Sequence, residues 1–286
     1  MSDLRERPVI LLPSDKDELR YELDRVFIPA REWIDANGTG RDDGFPFLSA
    51  EEIREIGYEA LEASNIWEIY RMLAKPTSRG DSRYDAIIGV QHVQAYKEMV
   101  KLMRQFETRF ADHALDIACG TGGSTQVLLP FCSHITGVDI LPEMLEWAEK
   151  RFRKKRGLKC RFLEMDIFNH TLPLDSFDVV VLNGFAQYMS PEEAEYVFPP
   201  IIQGLVKVGG RVYEYDDGPR GLDVYMKSPR GKLAAQVGII INSSTFIKEY
   251  HGWKGFTHFE NYGFEGGYYD IEDRRGAKLS RVVRVK

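Results

Sequence analysis

A bend almost without side chains most constrains this chain. Ala118-Cys119-Gly120-Thr121-Gly122-Gly123 follows the apolar, strand-like run Ala114-Leu115-Asp116-Ile117 and precedes a stretch with helical spacing. Glycines let the backbone take conformations closed to other residues and come close to a ligand. A strand that turns into a helix through such a bend is the opening of a βαβ unit.

The surrounding pattern agrees. Helical periodicity predicts helices over 90–110, 123–129, 142–155 and 191–206, the last interrupted near Pro199-Pro200. Apolar runs bounded by turn residues predict strands over 114–118, 134–138, 160–164, 177–182 and 210–215. Alternation of this kind means parallel strands joined by helical crossovers. Two further strands are expected over 268–272 and 279–285, with Asp273-Arg274-Arg275-Gly276 as a hairpin turn between them and helical signals over 256–262 before them.

Residues 1–80 read as a helical cap. Ser14 and then Ser49 look like helix N-caps, and Ser49 with Glu52 has the spacing of a capping box. Another helix is expected over 67–73. Residues 81–286 read as the main domain, with 217–250 outside the alternation and lid-like.

Composition sets limits on function. No apolar run nears the roughly 18 residues of a membrane helix; the longest near the start, Val9-Ile10-Leu11-Leu12, stops at Pro13 and is too short for a signal-peptide core. A cytoplasmic protein without membrane contact is expected. The net charge of −6 lowers the expectation of nucleic-acid binding, which draws on Lys and Arg neutralising phosphates. The basic run Lys150-Arg151-Phe152-Arg153-Lys154-Lys155-Arg156 reads as the solvated end of a helix. Cys119, Cys132 and Cys160 show neither CxxC nor a zinc-type spacing, so no metal is expected.

The chemistry of the bend separates two cofactor classes. Asp139 ends the next strand, where an acidic side chain can accept both hydroxyls of a ribose. A dinucleotide fingerprint needs GxGxxG, and here Thr125 stands where the third glycine would be. Asp116, just before the bend, would repel a pyrophosphate but suits the ammonium of a methionine moiety. The electrostatics favour a sulfonium amino-acid nucleoside.

Leu115-Asp116-Ile117-Ala118-Cys119-Gly120-Thr121-Gly122-Gly123 resembles motif I of the class I S-adenosylmethionine-dependent methyltransferases. The resemblance extends over residues 84–286 and implies a Rossmann-like α/β fold: a mainly parallel seven-stranded sheet with an antiparallel C-terminal strand. It implies S-adenosylmethionine as cofactor, held by Asp116, Ala118, Cys119, Gly120 and Gly122 around the bend. Asp139 would grip the ribose, Ile140 cover the adenine, Asp166 and Ile167 meet its amino edge, and Asn183 face the methionine end. Tyr84, beside Asp85, resembles the aromatic-acidic pair that folds over the cofactor in small-molecule members.

The acceptor half of the site is less legible, because displacement at a sulfonium methyl needs alignment and exclusion of water more than catalytic side chains. Tyr188, Tyr215, Asp217, His251 and His258 are the candidates for the acceptor pocket or a base. Late aromatics such as Phe246, Tyr250, Trp253 and Phe256 suit an apolar wall, which favours a small organic acceptor. Asn183-Gly184-Phe185 replaces the Pro-Pro-aromatic of amino-methylating DNA enzymes and argues against DNA. An RNA or protein acceptor, or a non-catalytic subunit that binds the cofactor, stays open at this point, as does the oligomeric state.

Overall fold

The structure, a computed structural model, describes residues 17, 20, 21, 23–29, 32, 36, 48–63, 66–107, 109–153, 159–185, 189, 192–216, 261–270 and 278–286. These residues fall into two compact units, one running through Gln91 and one beginning at His92.

In the first unit, α1 (Ala50–Glu62) starts with the expected capping box. Ser49 Oγ accepts from the Glu52 amide at 3.2 Å, and Glu52 Oε2 accepts from the Ser49 amide at 2.7 Å. Both would otherwise be unpaired amides at a helix start. Ile53, Ile56 and Ala60 recur at helical spacing and are buried, as are Ile69 and Leu73 of α2 (Ile66–Ala74). The opposite face of α1 is acidic and holds the segment that follows α2. The Ser78 amide donates to Glu52 at 2.7 Å, and the Arg83 guanidinium, 7% exposed, pairs with Glu55 and Glu59 at 2.7 and 3.2 Å. The expected N-cap Ser14 lies outside the described residues.

The second unit is built on a seven-stranded sheet in the order β3-β2-β1-β4-β5-β7-β6. The strands are β1 (Ala111–Ile117), β2 (Cys132–Asp139), β3 (Lys159–Glu164), β4 (Phe177–Asn183), β5 (Val206–Asp216), β6 (Phe264–Asp270) and β7 (Lys278–Arg284). The first five pair in parallel, and β7 runs antiparallel to both β5 and β6. The expected mainly parallel seven-stranded sheet with one antiparallel C-terminal strand is therefore observed. β4 is apolar on both faces because helices cover a parallel sheet on both sides.

Helices α3 (Val90–Phe106), α4 (Thr125–Leu128), α5 (Pro142–Phe152) and α6 (Phe198–Leu205) complete the unit. Met99, Leu102 and Met103 of α3 pack with Val179, Val181, Tyr213 and Tyr215 in the main core. Phe168, Phe185 and Phe198 form a second aromatic cluster, with ring centroids 5.4–6.3 Å apart.

Several boundaries differ from expectation for identifiable reasons. The helix expected over 123–129 shrinks to the single turn of α4, because left-handed residues occupy the bend before it and Pro130 lies beyond. The helix expected to reach residue 110 stops at Phe106, where Glu107 turns its carboxylate toward the sheet. The stretch over 191–206 divides into a π-helical turn, Glu193–Val197, and α6, with prolines in the first turn of the new helix. β5 begins earlier than residue 210 and β6 earlier than residue 268. The lid-like stretch over 217–250 and the turn over 273–276 lie outside the described residues, as do residues 256–260.

Glu107 ties α3 to the sheet. Its side chain is fully buried; Oε1 accepts from Arg211 Nε at 2.9 Å and from the Tyr213 hydroxyl at 2.5 Å, and Oε2 pairs with Arg211 Nη2. Burial, with the neighbouring carboxylate, raises the Tyr213 hydroxyl above its usual range. Glu107→Ala leaves a cation half-paired and two donors unmet, so it should cost roughly 2–4 kcal/mol, while Glu107→Gln, which keeps an acceptor, should cost less. Urea unfolding checks this, and a loss below about 1 kcal/mol for the alanine variant would mean the network contributes no more than a surface pair.

Candidate functional site

The site lies where the parallel strands end. Ala118, Gly120 and Gly122 have φ of 55°, 52° and 81°, three left-handed residues within five. Two hydrogen bonds hold the bend: the Cys119 amide donates to the Val138 carbonyl at 3.0 Å, and the Gly122 amide to the Cys119 carbonyl at 2.8 Å. Ala118 is a non-glycine in that region, at a cost of about 1 kcal/mol. The glycines have different reasons. A Cβ on Gly120 would meet nothing within 4 Å, so that face of the bend is open. A Cβ on Gly122 would lie 3.0–3.3 Å from Phe152 and Ala148 of α5, so that glycine admits the helix.

Cys119 is buried, and its sulfur lies 2.9 Å from where a Cβ on Gly137 would stand. Burial pushes the thiol well above its ordinary range, which keeps it a small neutral packing group.

Asp116 is fully buried on β1. Its Oδ2 accepts from Ser124 Oγ at 2.8 Å and from Thr125 Oγ1 at 2.5 Å. Its Oδ1 is also buried and has no hydrogen-bond partner among the described residues. Burial pushes the carboxyl up to about 7; the two hydroxyls pull it back, and Asp139 adds to the rise.

Asn183 is the last residue of β4, and its buried Oδ1 likewise lacks a partner among the described residues. Asp116 pairs with Val181 in the register of β1 and β4, and side chains alternate along a strand. Asn183, two positions past Val181, therefore stands on the same face as Asp116. Two buried, unsatisfied acceptors thus share one side of neighbouring strand ends. Such atoms are costly unless something supplies donors.

Asp139 ends β2 and is partly exposed. Its Oδ2 accepts from the Gly120 amide at 2.8 Å and its Oδ1 from the Leu141 amide at 3.0 Å, so the carboxylate is pinned to both the bend and the start of α5. Burial raises it to about 6, against the pull of the Leu141, Gly120 and Ile140 amides. Ile140 beside it is buried.

Asp166 caps a short 3-10 turn, Ile167–Asn169, accepting from the Phe168 amide at 3.0 Å and from Asn169 Nδ2 at 2.7 Å; Ile167 is buried. The Met165 amide donates to the Asp139 carbonyl at 2.8 Å, which ties this turn to the end of β2.

Tyr84 belongs to the first unit, with its ring 6.0 Å from that of Tyr70. Tyr215 is 2% exposed and packs in the main core of the second unit. Tyr188, Asp217, His251 and His258 lie outside the described residues. Ser124 and Thr125 are not singled out by the sequence pattern, in which Thr125 stands only where a third glycine would be. Two adjacent hydroxyls, eight and nine positions after Asp116, were the available signal.

Replacing Gly120 by valine should abolish binding of an adenosyl ligand and cost the fold about 1–2 kcal/mol for a side chain on left-handed backbone, with no clash added, since the side chain would project into open space. Gly122→Val, which adds a clash with α5 to the same backbone cost, should destabilise the fold by more, about 3 kcal/mol. Calorimetric titration with S-adenosylhomocysteine together with thermal unfolding distinguishes the two; normal ligand affinity in the Gly120 variant would place the ligand elsewhere.

Comparison with known proteins agrees with this geometry. Residues 114–210 match the family described as methyltransferase domain. A malonyl-[acyl-carrier protein] O-methyltransferase of Paenibacillus sp. (strain JDR-2) is 41% identical over 80 residues, which is 27% of this chain and 29% of the relative. A trans-aconitate 2-methyltransferase of Enterobacter sp. (strain 638) is 35% identical over 98 residues, 34% of this chain and 35% of the relative. The chain therefore spans about a third of the length of these curated relatives. The PH0226 protein of Pyrococcus horikoshii OT3 shares the fold, with a TM-score of 0.54 at 18% identity over 72% of this chain and 100% of that one. Among the described residues, no helix is long and apolar enough to cross a membrane. Residues 114–210 are therefore similar to a methyltransferase domain, carried on a mainly parallel seven-stranded sheet of the order β3-β2-β1-β4-β5-β7-β6.

Proposed function

We propose that this chain transfers a methyl group from S-adenosylmethionine to a small organic acceptor. The observation that carries the reading is the pair of unsatisfied acceptors, Asp116 Oδ1 and Asn183 Oδ1, on one face of adjacent strand ends. An ammonium offers several N–H donors and a positive charge, which suits both oxygens. A pyrophosphate offers neither. The residues present thus fit the amino-acid end of this cofactor.

The other half fits its nucleoside end. Asp139, held by two main-chain amides, has lone pairs left for two ribose hydroxyls. Ile140 and Ile167 supply apolar cover for the base, and Asp166 stands beside them as a polar edge. The open face at Gly120 leaves room for the backbone to approach the ligand. When bound, S-adenosylmethionine supplies a methyl group on a sulfonium whose departure leaves a neutral thioether. The chain's own task is then to hold the two reactants in line and keep water out.

A small acceptor is supported by what related proteins are named for: malonyl-[acyl-carrier protein], trans-aconitate and demethylmenaquinone. The chain's net charge of −6 also fits a small acceptor better than a nucleic acid. Tyr188, Asp217, His251 and His258, outside the described residues, stay proposed as acceptor-side candidates and Tyr84 as a cofactor residue, and a cytoplasmic setting suits the three sparse cysteines. A panel of carboxylic-acid and phenolic acceptors with radiolabelled S-adenosylmethionine tests the activity. Label transfer to RNA or protein, and to none of the small acceptors, would overturn the acceptor class.

Asp139→Ala should weaken S-adenosylhomocysteine binding by about 1–3 kcal/mol, measured calorimetrically; unchanged affinity would remove Asp139 from the site. The pH dependence has a definite sign. The carboxyl of Asp116 is raised to about 7, and the ammonium needs it ionised. Affinity should be full at pH 8 and fall about tenfold by pH 6, more steeply once Asp139, raised to about 6, also takes up a proton. An affinity flat from pH 6 to 8 would count against Asp116 as the ammonium partner.

A further inference from the structure

Thr125 occupies the position where a dinucleotide fold would carry its third glycine, and its hydroxyl does something a glycine cannot. Thr125 Oγ1 and Ser124 Oγ reach the same oxygen of Asp116, at 2.5 and 2.8 Å. All three residues are buried, with Asp116 and Thr125 fully so. A hydroxyl has one proton to give, so both protons are spent on Oδ2. That oxygen is then an acceptor only. The carboxyl is fixed by donors on one side, and Oδ1 is left as the atom without a partner among the described residues. A proton on this carboxyl must sit on Oδ1, in the place a ligand's N–H would take. The charged or titratable groups bearing on Asp116 are Asp139 and the Cys119 thiol, neither of which supplies a cation.

The ribose half of the site is held by separate means. Asp139 takes its position from the Gly120 and Leu141 amides and makes no contact with either hydroxyl. Disturbing the hydroxyl pair should therefore act on one end of the ligand and spare the other.

We propose that Ser124 and Thr125 are specificity-determining positioning residues, whose paired hydroxyls turn Asp116 Oδ1 toward the ammonium of an adenosyl ligand and make the site select ligands that carry an amino-acid end. The inference rests on the adenosyl reading of the site given above.

The test compares two probes, S-adenosylhomocysteine, which has the amino-acid end, and 5′-methylthioadenosine, which lacks it. Calorimetric titration at pH 8 uses the full chain and the variants Thr125→Val, Ser124→Ala and Thr125→Ser. Thr125→Val is expected to weaken S-adenosylhomocysteine about tenfold and Ser124→Ala about fivefold, as for loss of one hydrogen bond to a charged group. 5′-Methylthioadenosine should change less than about twofold, and Thr125→Ser should restore most of the loss. A purely structural role would weaken both probes together or lower the unfolding midpoint without separating them, and that result overturns the proposal. Equal affinity of the variants and the parent for S-adenosylhomocysteine overturns it too. If Thr125→Val does not fold, Ser124→Ala, which removes a single oxygen, decides the matter by the same comparison. Failure of the parent chain to bind either probe would instead overturn the adenosyl reading itself, so the two failures are distinguishable.

Discussion

The chain leaves β1 for β2 on one side and returns to β4 on the other, and everything at the site follows from that reversal. Connections diverge from neighbouring strand ends there and leave a crevice that no crossover fills. Asp116, Asp139 and Asn183 all sit at or near the carboxyl ends of the three strands that border it. The left-handed bend after β1 keeps the crevice open, because a residue with a side chain at Gly120 would point into it.

The crevice carries an electrostatic cost. Asp116 and Asp139 are raised rather than lowered, chiefly by burial, so ionising them opposes folding. For a carboxyl raised from 3.8 to about 7, the folded chain holds the proton that the unfolded chain has already lost, so stability falls as pH rises through that window. A bound cation reverses the sign of this contribution. The hydroxyls of Ser124 and Thr125 offset part of the cost without removing it, which leaves the carboxylate fixed in place and still short of a donor. Strain and unmet polar demand concentrated in this manner are common where a protein binds a ligand.

Contacts away from the crevice hold each unit together. Glu107 joins α3 to the sheet through Arg211 and Tyr213, and the aromatic cluster of Phe168, Phe185 and Phe198 packs beside the strand ends. In the first unit, taken by itself, the acidic face of α1 holds residues 75–83 through Ser78, Lys75 and Arg83. Supports of this kind matter because a binding site works only as well as its side chains are held.

Much of this was determined by local sequence. Strand-helix alternation, the capping box at Ser49 and Glu52, the glycine bend, and acids at Asp116 and Asp139 are all short-range patterns, since periodicity and turn chemistry act over a few residues. Element ends were less legible: the helix over 123–129 was expected too long and β5 too short, because sheet pairing and the geometry of the bend override propensity there. Only the tertiary structure could decide which polar atoms go without partners. Asp166 turns out to cap its own 3-10 turn, while Asp116 Oδ1 and Asn183 Oδ1 stand unsatisfied on one face. Whether an acceptor is satisfied depends on atoms brought near by the register of β1 against β4, and no local pattern encodes that distance.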